Sequence, residues 1–270
     1  MVFLTLNATV LFGRRLSPPK CLEIGQIWVS SIDYAALVCV PAGEFLMGST
    51  DADKRANDDE KPQHTVYLDA YWIDQTEVTN AQYAECVADE ACQPPKYNGS
   101  SSTHIFYYGN DKYAAYPVVS VTWQDANDYC TWAKRRLPSE AQWEKAARGT
   151  DGRLYPWGNQ APTHSLLNYN DNNGDTVQVG SYPAGASPYG AMDMAGNVWE
   201  WTADWYEESY YYTRVDWYNP PGPTSGDGRV ARGGAWYYAA NIVRTTYRHN
   251  GIPLGTVNDR GFRCAFDPNP

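Results

Sequence analysis

A chain of 270 residues is long enough for one sizeable core and short for two. With 22 tyrosines, 11 tryptophans and only 19% charged residues, it reads as an ordered, aromatic-rich globule and not as a disordered or coiled-coil chain. The formal charge of −10 argues against nucleic acid as a partner, since phosphate recognition needs clustered Lys and Arg.

Glycine (22) and proline (18) are frequent enough to predict many turns and short elements, hence an irregular α+β fold. Residues 1–22 read as a poorly structured extension preceding one domain over 23–270. In that extension the pair Arg14-Arg15 follows the apolar run, the reverse of a secretory signal. No later run reaches the roughly 18 apolar residues of a membrane span. Residues 35–48 alternate apolar and small positions and predict two strands joined by a turn at Pro41-Ala42-Gly43. Residues 50–64 are polar and acidic, a surface loop. The stretch TVYLDAYWIDQTEVT alternates like a strand.

Thr79 with Gln82 forms a capping box that opens a helix through about Ala88. After a long unpatterned loop at 93–115, Thr122 starts a second helix with Trp123, Ala126, Cys130 and Ala133 on one face. Lys134-Arg135-Arg136 reads as its end. Ser139, with Gln142 three residues on, caps a third, placing Trp143 and Ala147 inward and stopping at Gly149. Beyond it the chain is turns and short strands, three of them expected in RVARGGAWYY, IVRTTYRH and DRGFRCAF.

The stretch GAMDMAGNVWEWTADW places Asp193 and Glu200, two hard oxygen ligands, on either side of Gly196, which permits a tight bend. It fits a calcium loop as well as a tryptophan-rich core segment with solvated acids. Asn168 and Asp175 flank a second glycine-containing loop. Of the six cysteines none forms a Cys-x-x-Cys pair. Cys86 and Cys92 flank a short polar turn and suit either a small disulfide loop or buried thiols. The four histidines stand at no ligand spacing, and no His-Glu-x-x-His, Gly-x-Ser-x-Gly or phosphate-cradling glycine loop is present.

GEFLMGS, IDQTEVTNAQY, PVVSVTWQDANDYCTWAKRRLPSEAQWEKAARG, YPWGN, GAMDMAGNVWEWTADW, RVARGGAW and DRGFRC occur in the order found in formylglycine-generating enzymes, the sulfatase-modifying factors. The chain resembles that family from about Cys39 to Phe266. The resemblance implies an elaborated C-type lectin-like fold with two structural calcium sites. One would use Asn168, Asp175 and the carbonyls of Tyr169 and Val177. The other would use Asp193, Glu200 and the carbonyls of Gly196 and Val198. It also implies a Cys130–Cys264 disulfide, with two buried thiols as the alternative.

One departure is decisive. The family's oxidases bind Cu(I) through two cysteines after the Arg-Gly-Gly motif, and soft thiolates are what that ion demands. Here those positions hold Tyr238 and Val243, and Ala235 stands where a serine is usual. A phenol and an isopropyl group can neither hold Cu(I) nor exchange disulfides, so no copper and no such catalysis is expected.

The replacing segment offers a binding surface instead. Trp236, Tyr237, Tyr238, Asn241, Ile242, Val243, Thr245, Tyr247, His249 and Asn250 surround Arg232, Arg244 and Arg248. Tyr, Trp and Asn dominate recognition surfaces because rings bury much area at small entropy cost and amides adapt their hydrogen bonds. Trp236 also reads as core. The segment is similar to that of the variable proteins of diversity-generating retroelements, which bind ligands on this scaffold. The expectation is a non-catalytic module binding a protein or glycan surface, with an upstream signalling domain as a further partner. The alternative is an oxidoreductase of the same superfamily, or a related metal-dependent enzyme with a different cofactor.

Overall fold

The computed structural model describes residues 18–101 and 103–268. Its first sheet has four antiparallel strands in the order β1 (Ile27–Val29), β2 (Ala36–Val40), β5 (Tyr71–Asp74) and β10 (Ala265–Phe266). Central β2 and β5 carry near-continuous apolar runs because both of their faces are covered. Beside them β3 (Gly43–Met47) and β4 (His64–Leu68) form a two-stranded antiparallel ribbon. The third sheet orders β8 (His249–Gly251), β7 (Arg229–Arg232), β6 (Trp199–Trp205) and β9 (Arg260–Phe262), with β6 and β9 parallel.

Three helices are built as their capping boxes dictate: α1 (Asn80–Ala88), α2 (Trp123–Trp132) and α3 (Glu140–Arg148). In each, the cap hydroxyl of Thr79, Thr122 or Ser139 accepts from the N3 backbone, and the N3 side chain returns the contact. Gly149 ends α3 at φ +71°, where an added Cβ would lie 2.9 Å from Pro188. All nine residues of α3 are buried, so it is the pillar between the sheets. On one side its Trp143, Ala146 and Ala147 meet Val38, Phe45, Val66 and Ile73. A second core joins Tyr83, Ala126 and Tyr129 of α1 and α2 to Trp199, Trp201 and Phe262. A one-turn α4 (Tyr210–Thr213) lies in the tyrosine cluster.

Disulfides Cys130–Cys264 and Cys86–Cys92 are present. A third, Cys21–Cys39, was not legible in the sequence.

Several expectations need correction. The strands flanking Pro41-Ala42 do not pair with each other: β2 stays in the first sheet and β3 crosses to β4. TVYLDAYWID is two strands, broken at Asp69-Ala70, and they enter different sheets. IVRTTYRH is not a strand; residues 242–248 form turns and pairing starts at His249. The 50–64 loop is not all surface, since Glu60 is fully buried. Arg135 lies past the end of α2, buried between Asp33 and Asp74. Residues 18–22 are tied to the domain and not a free extension, because Cys21 is buried and bridged to Cys39 and Pro19 accepts from the Trp72 indole at 3.0 Å, although Lys20 and Leu22 are exposed. The rest of that expectation, residues 1–17, lies outside the described residues.

Candidate functional site

Cross-strand neighbours Trp201, Ala231 and His249 share one face of the third sheet, with Trp199 and Arg260 paired one step along β6 and β9. After β7 the chain turns at Gly233-Gly234 and crosses this face as the 235–248 segment. Trp236 is fixed by its backbone N–H to the Asn197 carbonyl at 2.9 Å. Tyr237 and Tyr238 stack with centroids 4.4 Å apart, and Tyr237 is 42% exposed. The Tyr237 hydroxyl donates to Asp259 at 2.7 Å and lies 3.1 Å from the Tyr238 hydroxyl. Burial, then the bond to Asp259, raises the Tyr237 pKa, so the phenol keeps its proton. The Trp199 ring forms the floor, with Tyr238 at 5.4 Å, Tyr247 at 5.9 Å and His249 stacked at 4.9 Å. Burial, with Arg260 second, pushes His249 down to about 4, so the imidazole is neutral near pH 7.

Of the residues expected to bind, Tyr237, Asn241 and Asn250 are exposed, and Tyr238, Ile242, Tyr247 and His249 are half-buried on this side of the molecule. Trp236 is buried with its indole N–H unpartnered. Val243 and Thr245 are corrections, because neither has exposed surface. Val243 packs with Tyr155, Leu167 and Ala195, while Thr245 is tied to the Leu154 carbonyl. Side chains along an irregular loop follow no fixed period, so the sequence cannot say which of them turn inward. Asp259 and Arg260 were missed because DRGFRC reads as a family motif and not as surface.

The three expected arginines are scaffolding. Arg232 meets Glu144, Arg244 is held by both oxygens of Glu60 at 2.6 and 2.7 Å, and Arg248 by Glu140 at 2.7 Å. Burial alone would raise Glu140, but Arg248 and Arg232 hold it below the ordinary value.

The two expected calcium loops lie directly behind this face. Gly196, at φ +78°, leaves no room for a Cβ against the Asn168 carbonyl. The Asn168 carbonyl accepts from the Asn197 N–H at 2.9 Å, so the loops touch. Asp175 points to hydroxyls: Ser100 and Thr103 donate at 2.7 Å, Ser101 also contacts it, and His104 Nδ1 lies 3.1 Å away. The Asn168 side chain donates to the Asp175 carbonyl, Tyr169 packs beside Leu167, and the Val177 N–H donates to Asn197.

In the second loop Asp193 is buried at φ +58° and accepts from Gly180 at 2.6 Å. Glu200 is not the free ligand expected: Arg263 holds both of its oxygens, at 2.6 and 2.7 Å, and the Trp143 indole donates at 2.8 Å. Glu77 is there instead. Its Oε1 accepts from Asn197 at 3.0 Å, while its buried Oε2 has no partner. Burial first, then Asp193 and Glu200, raises its pKa well above the ordinary carboxylate value. Three carboxylates thus face one guanidinium, and an orphaned oxygen among them fits a hard cation. Among the described residues no group of three or more His, Cys, Asp or Glu forms a metal cage by side chains alone. A calcium ion here would therefore lean on the Gly196 and Val198 carbonyls.

Comparison with known proteins identifies the scaffold. The chain is 38% identical over 86% of its length to the serine/threonine-protein kinase pkn1 of Chlamydia caviae, but spans only 38% of that protein. It is 32% identical to the mouse formylglycine-generating enzyme, covering 87% of this chain and 76% of that one. The solved Treponema denticola variable protein 1 superposes with a TM-score of 0.69 at 25% identity, covering 89% of this chain and 98% of the other. No helix among the described residues is long and apolar enough to cross a membrane. Residues 29–268 match the sulfatase-modifying factor enzyme 1-like domain, and the chain belongs to that family.

Proposed function

We propose that this chain is a non-catalytic ligand-binding module. Its face is the Tyr237–Tyr238 stack with Tyr247, His249, Asn241 and Asn250, and its ligand is a protein or glycan surface. One observation carries the reading: all six cysteines are disulfide-bonded, so no thiol is left beside this face. At the two positions where the oxidases place copper-binding cysteines stand a stacked tyrosine and a buried valine. The likeness to a variable protein supports the same reading, with the variable segment of a retroelement system between Arg232 and Gly261. The kinase relative, longer than this chain, supports a signalling domain as partner.

The residues behind the face fit structural calcium. Asp193, Glu77 and the Gly196 and Val198 carbonyls would hold one ion, and the Asn168–Asp175 loop, with the carbonyls of Tyr169 and Val177, the other. Calcium would neutralise buried carboxylates and fix both loops.

The second reading, an oxidoreductase of the formylglycine-generating type, is favoured by the 32% identity to the mouse enzyme. One experiment separates the two. The protein is incubated with copper, oxygen and a Cys-Thr-Pro-Ser-Arg peptide, and aldehyde is sought by mass spectrometry. In parallel, the parent and a Tyr237→Ala/Tyr238→Ala variant are applied to glycan and protein arrays. The expectation is no aldehyde, with array binding lost in a variant that melts as the parent does. Aldehyde formation overturns the proposal.

A further inference from the structure

Seven arginines are nine-tenths or more buried among the described residues: Arg135, Arg148, Arg232, Arg244, Arg248, Arg260 and Arg263. Six of them have a carboxylate within ion-pairing distance. Arg260 does not. It is 6% exposed, its Nε has no partner, and its one side-chain hydrogen-bond contact is His249 Nε2 at 3.1 Å. The guanidinium lies over the Trp201 ring at 4.4 Å. The neighbouring Asp259 gives its carboxylate to the Tyr237 hydroxyl. An uncompensated buried cation is costly. The other buried arginines are each paired with a carboxylate, and the buried Lys145 ammonium is held by the Pro41 and Gly43 carbonyls at 2.9 and 2.8 Å.

From this imbalance at the aromatic face we infer that Arg260, with His249 beside it, is the anion-reading element of the binding surface. The ligand class it selects is an oxyanion, a carboxylate or a sulfate, presented next to an aromatic-compatible surface. This inference rests on the reading of the face as a ligand-binding surface. A guanidinium suits such a group because its fork of N–H donors matches two oxygens at once. Tyr238, Tyr237 and Trp199 would flank the anion. The charged or titratable groups facing His249 and Arg260 are each other, Asp259, Tyr237 and Tyr238. An anion bound beside the contacting His249 and Arg260 offsets the Arg260 charge that, after burial, disfavours the imidazolium, so binding and His249 protonation reinforce one another.

The test follows the His249 ring by nitrogen-resolved NMR in the intact protein, with sodium acetate or sodium sulfate as probe and sodium chloride at equal ionic strength as control. Expected are saturable shifts of His249 with acetate or sulfate, and a rise in its pKa of about one unit or more. Both should be lost in Arg260→Gln and retained in Arg260→Lys, provided each variant gives a folded spectrum. If Arg260→Gln does not fold, the parent titration alone decides. No saturable shift in the parent overturns the inference, as does a response that survives in folded Arg260→Gln. The array distinguishes the two readings: equal binding of neutral and acidic ligands sinks the anion subsite alone, and binding of nothing sinks the face.

Discussion

Asp204 carries a charge question opposite in sign to that of Arg260. Its carboxylate is 5% exposed, accepts from the Glu140 N–H at 2.7 Å where α3 begins, and has no ion-pair partner among the described residues. Burial, with the nearby Glu140 charge second, pushes it up to about 7. Because the folded value lies above the ordinary value near 4, the native state binds this proton more tightly than the unfolded chain does. Its contribution to stability is therefore complete below about pH 4 and is lost as pH rises through about 7. Asp204→Asn keeps an oxygen for the Glu140 N–H and removes the charge. Relative to the parent, it should gain about 2 kcal/mol of unfolding free energy between pH 5 and pH 8. Urea titrations at the two pH values measure this, and parallel pH profiles would show that Asp204 is solvated. No such residue is visible in sequence, because what raises it is packing from Gly222 and α3.

Elements divide into those specified locally and those specified by the whole chain. The starts of the three long helices were legible to the residue because a cap is a three-residue signal. Strand pairing was not. β2 and β3 are separated by two residues yet join different sheets, a choice made by β5 and β4, which lie well further along the chain. The irregular 242–248 stretch was misread as a strand because β-branched residues there serve packing and not a ladder. A cap is also the one element feature that can be removed without disturbing packing. Ser139→Ala leaves the Gln142 N–H without its acceptor and should cost about 1 kcal/mol. The denaturant midpoint should fall with an unchanged slope. Since Glu140 and Glu144 of α3 hold Arg248 and Arg232, an unaltered midpoint would mean that these ion pairs alone fix the helix start.

Across the whole molecule, the proposed binding face and the proposed calcium loops are one mechanical unit. Asn170 and Asp171 donate to the carbonyls of Tyr238 and Trp236, Gly196 donates to Gly233, and Trp236 donates to Asn197, all at 2.9 Å. These contacts join positions tens of residues apart through backbone atoms and leave no mark on side-chain choice, so they were not legible beforehand. The residue types of Asp193, Gly196 and the tyrosines did mark the two segments that these contacts join. Glu77 escaped notice because nothing local distinguishes it within the helix-capping segment of α1.

If calcium occupies these loops, its removal leaves Glu77, Asp193 and Glu200 facing Arg263 alone, and the cost falls on the backbone that carries the face. EGTA should lower the melting temperature by several degrees, because an ion bound only to the folded state adds stability by mass action. Hydrogen exchange should quicken first at Trp236 and Tyr238, with α1 and α2 staying protected behind the Cys130–Cys264 bridge. Glu77→Gln should shrink the EGTA response, while a change at exposed Asn241 should not. A melting curve indifferent to EGTA removes calcium from both loops and leaves the raised Glu77 to be met by a proton instead.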